Sequence, residues 1–342
     1  MKRLLVLAFA LMLGACTPLV VQHSFTPPAA FSGPRLQDDQ VVSFDGARLG
    51  LKTWKAEGDY ADDPWAVIVG LHGMDDYANA FHMAGPWWAG QGITTYAFDQ
   101  RGFGRSPGRG IWAGDDLMVE DLRTVTALVR AKFPHALIAV AGESMGGAVA
   151  IEAFASDRPP AADRLILMSP AVWGWHEQPL PNKTLLWFAA NFTAGKIYEP
   201  PRWLTSKIKP TDNRDELIAM GHDPLMIWGA RSDTIYGLVS MMGRAADDVG
   251  EAKVPTLYLH GVRDQIIPDK AARRAAARLK PTDRSAQYAR GYHLLMRDKQ
   301  GPAVWADVAA FIRDPKAPLP SGAPPIPGSP ARGGEMRAAA GL

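Results

Sequence analysis

The segment Gly142-Glu143-Ser144-Met145-Gly146-Gly147 sets one serine among small residues, directly after the apolar run 137–141 and ahead of the helix-prone stretch 148–155. A serine on so tight a strand-to-helix turn is held in a strained backbone that pushes its hydroxyl into the open. The flanking positions are glycine because a Cβ there would strike neighbouring backbone. The N-terminus of the following helix favours developing negative charge, and the Met145 N–H is placed to donate to an oxyanion. The chemistry implied is nucleophilic acyl transfer. Spacing alone does not decide the matter, because Gly104-Arg105-Ser106-Pro107-Gly108 repeats it. In that second match Pro107 has no N–H to offer, it disfavours a helical turn at Ser106, and no buried strand runs into it. Ser106 therefore reads as a decoy.

A serine attacks only when a base removes its proton, and the base needs a carboxylate to orient it. Asp264 lies in His260-Gly261-Val262-Arg263-Asp264, just past the run 256–259, and His293 lies in Gly291-Tyr292-His293-Leu294, past the run 285–289. Both fall at the carboxyl ends of expected strands, where open α/β sheets place their sites. Asp269 and Asp283 stand close enough in sequence to compete for the orienting role. His72 and His260 read as structural residues, and Asp99 and Arg101 as braces of a turn.

The elements that must position these groups follow from hydrophobic pattern. Apolar runs at 65–71, 93–98, 137–141, 164–168 and 256–259 lack alternation, as strands covered on both faces do, and so predict a buried parallel sheet. Residues 40–44 and 49–54 around Asp45-Gly46 predict a hairpin. Residues 115–132 predict a helix, with Asp115 and Asp116 at its start, Leu117, Leu122, Val125 and Leu128 at helical spacing, and Pro134 beyond its end. Strand and helix alternate, which calls for right-handed crossovers. The alternation stops after Pro170 and resumes near Val254, so 171–253 is expected to be an insertion. It holds five of the chain's eleven tryptophans, Trp173, Trp175, Trp187, Trp203 and Trp228, whose rings should mostly pack it onto the core.

The 342 residues, 47% hydrophobic and 21% charged, have ample apolar material for this core. Thirty-seven Lys and Arg against 35 Asp and Glu leave a net charge of +2, which argues against a nucleic-acid partner. One cysteine excludes an internal disulfide, and the eight histidines show no zinc-ligand spacing. Neither metal nor cofactor is implied.

The termini read differently from the body. Lys2 and Arg3 precede an apolar run at 4–13, which as a helix rises only about 15 Å and is too short for a permanent membrane span. Leu13-Gly14-Ala15-Cys16 then resembles the lipobox of bacterial lipoproteins, so 1–15 reads as a signal peptide and Cys16 as the lipidated first residue. The resemblance implies an envelope protein anchored by its lipid. Thr17, where an inner-membrane retention signal would carry Asp, points to the outer membrane facing the periplasm. Residues 16–39 read as a tether, and 315–342, with seven Pro and five Gly in 28 positions, as a disordered tail.

The chain order Ser, Asp, His over residues 40–313 resembles the α/β-hydrolase fold, and within it the monoacylglycerol lipase and lysophospholipase group. Leu71-His72-Gly73-Met74 resembles that group's oxyanion loop, and Asp99-Gln100-Arg101-Gly102-Phe103-Gly104-Arg105-Ser106 its Asp-x-Arg-Gly-x-Gly-x-Ser turn. The resemblance implies a core of 40–170 and 254–314 with the insertion 171–253 as a cap. It further implies Ser144 as nucleophile, His293 as general base and acid, Asp264 as orienting carboxylate, and the Met74 and Met145 amides as the oxyanion hole. Glu143 departs from the histidine of the animal lipases, and Met-Asp-Asp-Tyr replaces a Gly-rich loop, so the substrate is less constrained than the chemistry. The expected activity is hydrolysis of acyl esters, such as a monoacylglycerol or a lysophospholipid. Transfer of the acyl group to an envelope lipid is one alternative, and a non-catalytic lipoprotein that binds a lipid or partner through the aromatic insertion is another. Haloalkane dehalogenases and epoxide hydrolases need a carboxylate at position 144.

Overall fold

The computed structural model describes residues 19–330 except 200, 202 and 204–206. Residues 1–18, including the expected signal peptide and Cys16, and residues 331–342 lie outside them.

Along the chain run β1 (Arg35–Leu36), β2 (Gln40–Val42), β3 (Arg48–Trp54), β4 (Ala66–Leu71), α1 (Ala84–Ala89), β5 (Ile93–Phe98), α2 (Asp115–Lys132), β6 (Leu137–Glu143), α3 (Met145–Ala155) and β7 (Arg164–Met168). Then follow α4 (Leu180–Phe192), β8 (Ile197–Tyr198), α5 (Arg214–His222), β9 (Ala230–Arg231), α6 (Ser232–Asp248), β10 (Thr256–Gly261), α7 (Asp269–Ala276), β11 (Arg284–Tyr288) and α8 (Gly301–Arg313). The main sheet has the order β1-β2-β3-β5-β4-β6-β7-β10-β11. From β5 to β11 all pairs are parallel, and β1 to β3 add an antiparallel end. The fold is that of an α/β-hydrolase. Strands β4, β5 and β10 are buried at every residue, which is why their sequences carry no alternation.

Helices cover both faces. On one, α2, α3 and α6 pack over Val67, Val69, Val140 and Leu165; on the other, α1 and α8 pack over Ile68, Ala139, Ile166 and Leu257. The Arg101 guanidinium is fully buried, held by Asp45 at 2.7 Å and Asp121 at 2.6 Å, and it ties the β2–β3 turn to α2. Asp99 accepts the Ala78 and Arg105 amides. Both residues brace the turn, as their sequence context suggests.

Three boundaries differ from expectation. Helix α6 lies within 171–253 but is no part of a cap: it buries Val239, Met241, Met242 and Ala245 in the core and packs along α3. It is the crossover between β7 and β10, masked in sequence because only the two-residue β9, and no strand of the main sheet, directly precedes it. Residues 19–39 are not a free tether. Gln22 donates its N–H to the Trp112 carbonyl and its amide to Ile111, Phe25 N–H donates to Asp45, and Val20 N–H to Asp233 at the start of α6. Residues 315–330 are not a disordered tail either. Gln287 N–H of β11 donates to the Pro324 carbonyl, Ile326 N–H donates to Ser285 Oγ, and Ile326 is buried. Proline density forbids helix but leaves carbonyls able to dock on a sheet.

Candidate active site

Ser144 sits between β6 and α3 with φ 52° and ψ −117°, a conformation costing on the order of 1–3 kcal/mol unless its surroundings fix it. They do so here. Ser144 N–H donates to the Met168 carbonyl of β7, and its own carbonyl accepts from Gly147, Ala148 and Ala171. The small neighbours are needed as expected: a Cβ on Gly142 would lie 2.5 Å from the Gly146 oxygen, and one on Gly146 would lie 2.4 Å from the Leu71 oxygen. The second contact packs the helix start directly against the strand end that leads to His72-Gly73-Met74. A Cβ on Gly73 would lie 3.8 Å from Ser144 Oγ, so the loop expected to carry an oxyanion donor passes beside the hydroxyl.

Met145 opens α3, so its N–H has no acceptor within the helix, and neither it nor the Met74 N–H meets a backbone acceptor among the described residues. His72 holds the loop in place: its Nδ1 lies 2.7 Å from the Gly73 carbonyl, and its Nε2 accepts the Gln100 N–H at 2.9 Å. The ring is buried and has no opening to substrate.

Asp264 and His293 come from the loops after β10 and β11. The loops touch, since a Cβ on Gly261 would lie 2.4 Å from the Gly291 and Tyr292 oxygens. His293 Nδ1 lies 2.8 Å from Asp264 Oδ2, and Asp264 Oδ1 accepts the Ile266 and Ile267 amides. With Nδ1 bound to a carboxylate, the ring carries its proton there and leaves Nε2 as the acceptor. Burial works to raise the Asp264 carboxyl, but the His293 ring and the two amides hold it below the usual carboxylate range. Burial works against a charged His293 ring, but the Asp264 carboxylate at 2.8 Å raises its pKa above the ordinary histidine value. The competing carboxylates are engaged elsewhere: Asp269 pairs with Arg273, and Asp283 accepts the Thr256 and Lys280 amides. Ser106 is buried, with its Oγ accepting from Gly50 N–H and donating to the Asp99 carbonyl.

Ser144, His293, Gly73 and Met74 line one cavity of about 1000 Å³. The rest of the lining is mostly apolar, with Trp173, Trp175, Leu238, Met242 and Trp228 among its residues; three of the five tryptophans of the insertion thus face the cavity instead of only packing it down. Sequence reading missed the polar side of the cavity. Asp75, Asp76 and Arg297 line it, and Arg297 Nη2 lies 2.6 Å from Asp76 Oδ2 and 2.9 Å from Glu143 Oε2. Asp75 has φ 64°, and burial pushes its carboxyl up to about 7. The unusual Asp75-Asp76 in place of a Gly-rich loop was the signal in sequence.

A family model described as serine aminopeptidase, S33 (Hydrolase_4), matches residues 62–300. Monoacylglycerol lipase from Mycolicibacterium smegmatis is 26% identical over 280 residues, covering 78% of this chain and 93% of that protein. Mouse monoglyceride lipase is 25% identical over 296 residues, covering 83% and 93%. Among solved structures, a soluble variant of monoglyceride lipase from Saccharomyces cerevisiae, in complex with a substrate analogue, superposes with a TM-score of 0.66 at 19% identity, covering 85% of this chain and 98% of that one.

Proposed function

The chain belongs to the serine aminopeptidase S33 family of α/β-hydrolases and is a serine hydrolase; from that premise we propose that it cleaves acyl esters through an acyl-enzyme on Ser144, with monoacylglycerols or lysophospholipids as its substrates. The observation that carries this reading is the 2.8 Å bond between His293 and Asp264 at the rim of the cavity that Ser144 also lines. The relatives named above are monoacylglycerol and monoglyceride lipases, and the apolar lining of the cavity suits an acyl chain.

In this mechanism Ser144 Oγ attacks the ester carbonyl carbon while His293 Nε2 takes its proton. The carbonyl oxygen, now anionic, accepts hydrogen bonds from the Met74 and Met145 amides, each such donor being worth about 3–4 kcal/mol. The intermediate collapses, the C–O bond to the alcohol breaks, and His293 returns the proton to the leaving oxygen. A water then repeats the sequence on the acyl-enzyme and releases the carboxylic acid. Asp264 keeps the ring in the required tautomer and offsets its transient charge.

Ser144→Ala is expected to abolish hydrolysis of a p-nitrophenyl ester and labelling by a fluorophosphonate, with an unchanged melting curve; retained hydrolysis would sink the assignment. Free fatty acid as the main product from a labelled monoacylglycerol is expected, whereas a labelled lipid product would mean acyl transfer. The localisation proposed with this function is an envelope membrane, reached through acylation of Cys16, and incorporation of labelled palmitate should be lost in Cys16→Ser.

A further inference from the structure

Arg297 lies four residues beyond His293 and is only 1% exposed, yet no step of the hydrolysis uses it. A buried cation is retained only where it is partnered on several sides, and its partners come from separate parts of the site. Nη2 reaches Asp76, two residues past Met74, and Glu143, immediately before Ser144, at 2.6 and 2.9 Å. Nη1 faces Glu216 of α5 at 3.7 Å, with Met220 Sδ also at 3.7 Å. Glu216 in turn lies 3.3 Å from His82 of the core. One planar fork therefore meets the oxyanion loop, the serine turn and the cap, while its own backbone belongs to the histidine loop.

A second set of contacts joins the same parts. The cap residues that lead into α5 are sewn to the histidine loop: Leu294 N–H donates to the Pro210 carbonyl at 2.8 Å, Thr211 Oγ1 to the Arg297 carbonyl at 3.3 Å, and Lys299 N–H to Asp212 Oδ1 at 2.8 Å. Asp298 accepts the Asp212 N–H and also the Tyr292 N–H, the latter at 2.7 Å and directly before His293. The cap segment 210–222 cannot shift without pulling on the loop that carries the base.

We propose that Arg297 is the positioning residue that keeps the histidine loop in register with the serine turn and the oxyanion loop, and that residues 210–222 of the cap are a fixed, chemically coupled wall of the site. This rests on the reading of Ser144 and His293 given above. A displacement of about 1 Å in such a constellation costs about a hundredfold in rate, and lysine cannot substitute because its single ammonium lacks the two separated nitrogens with which Arg297 meets Asp76, Glu143 and Glu216.

The test uses the full chain carrying Glu143→Gln, Glu216→Gln, both together, or Arg297→Lys. Rates are measured on a short p-nitrophenyl ester and a long-chain monoacylglycerol, with melting curves alongside. Glu143→Gln should lower kcat about tenfold on both esters with KM little changed. It should also move the acidic limb of kcat/KM to lower pH, because Asp264 and Glu143 favour the charged form of His293, whereas Arg297 and the neighbouring His260 oppose it. Glu216→Gln should lower kcat about threefold even on the short ester, and the double variant should lose less than the product of the two, since both act through one guanidinium. Arg297→Lys should slow fluorophosphonate labelling of Ser144. Multiplicative losses in the double variant, a parental kcat for Glu216→Gln, or parental labelling in Arg297→Lys would overturn the proposal, whereas activity surviving Ser144→Ala would overturn only the nucleophile assignment beneath it.

Discussion

Gly146→Ala tests the contact that, in the proposed mechanism, sets the distance between the Met74 and Met145 amides. The added Cβ would stand 2.4 Å from the Leu71 oxygen and 2.7 Å from the His72 oxygen, both backbone atoms of the strand end that leads to Met74. Ordinary contact begins near 3.4 Å, so the start of α3 and the loop after β4 must part by about 1 Å, carrying the Met145 amide away from the Met74 amide. Misplacement of that size, or effective loss of one donor, costs about a hundredfold in kcat. Overpacking at a backbone contact costs about 1–3 kcal/mol, which for a domain of this size lowers Tm by roughly 2–5 °C. Gly221→Ala serves as the comparison: it lies in α5 with nothing within 4 Å of its added Cβ, and removing unfolded-state freedom there should raise stability by about 0.4–1 kcal/mol. Steady-state hydrolysis of a p-nitrophenyl ester and a thermal melt read out both. A kcat for Gly146→Ala within threefold of the parent would show that packing of the serine turn on the oxyanion loop does not set donor spacing.

Asp264→Asn should cut kcat/KM by about 10⁴ through the wrong ring tautomer. The residual activity should show its acidic limb at lower pH, because removing the anion that raises His293 lets the ring deprotonate sooner; a limb that stays or rises would contradict this. Asp75 has its carboxyl raised to about 7 in the folded chain against about 3.9 unfolded. The native state thus holds the extra proton, and stability from this group falls as pH climbs from about 4 to above 7. Asp75→Asn should raise Tm at pH 8 and leave it nearly unchanged at pH 4, as a pH series of melts would show. Asp121→Ala strands the buried Arg101 guanidinium with Asp45 alone and should cost about 3–5 kcal/mol in denaturant unfolding; a loss below 1 kcal/mol would mean that the cluster is solvated.

Strands Ile93–Phe98 and Arg164–Met168 and helix Asp115–Lys132 have the bounds that their sequences suggest, because a fully buried strand or a helix with an acidic start and a proline past its end carries its own punctuation. Ser144, His293 and Asp264 could be singled out because each lies next to such a strand end. Glu143 and Arg297 could not be paired, being 154 residues apart and joined only by the fold. Helix α6 is not legible as a crossover because the inserted segment separates it from β7, and the docking of the proline-rich end is not legible because composition reports what a segment cannot form internally and not what it can lie against. The same limit applies to Gln22 and Phe25, whose partners at Ile111 and Asp45 have no local signature.

The docking of residues 324–330 on β11 has a consequence for how the protein behaves as a solute. The parallel sheet terminates at β11, and an uncovered terminal strand is a template for pairing with a second chain. The Pro324 carbonyl and the Ile326 amide occupy groups of that strand, and prolines 324, 325 and 327 have no N–H with which to extend the pairing further. At the opposite margin β1 is only two residues long. A chain cut after Asp314 would keep every group of the reaction and lose its guard against self-association, so the expense of trimming is paid in turbidity, not in turnover.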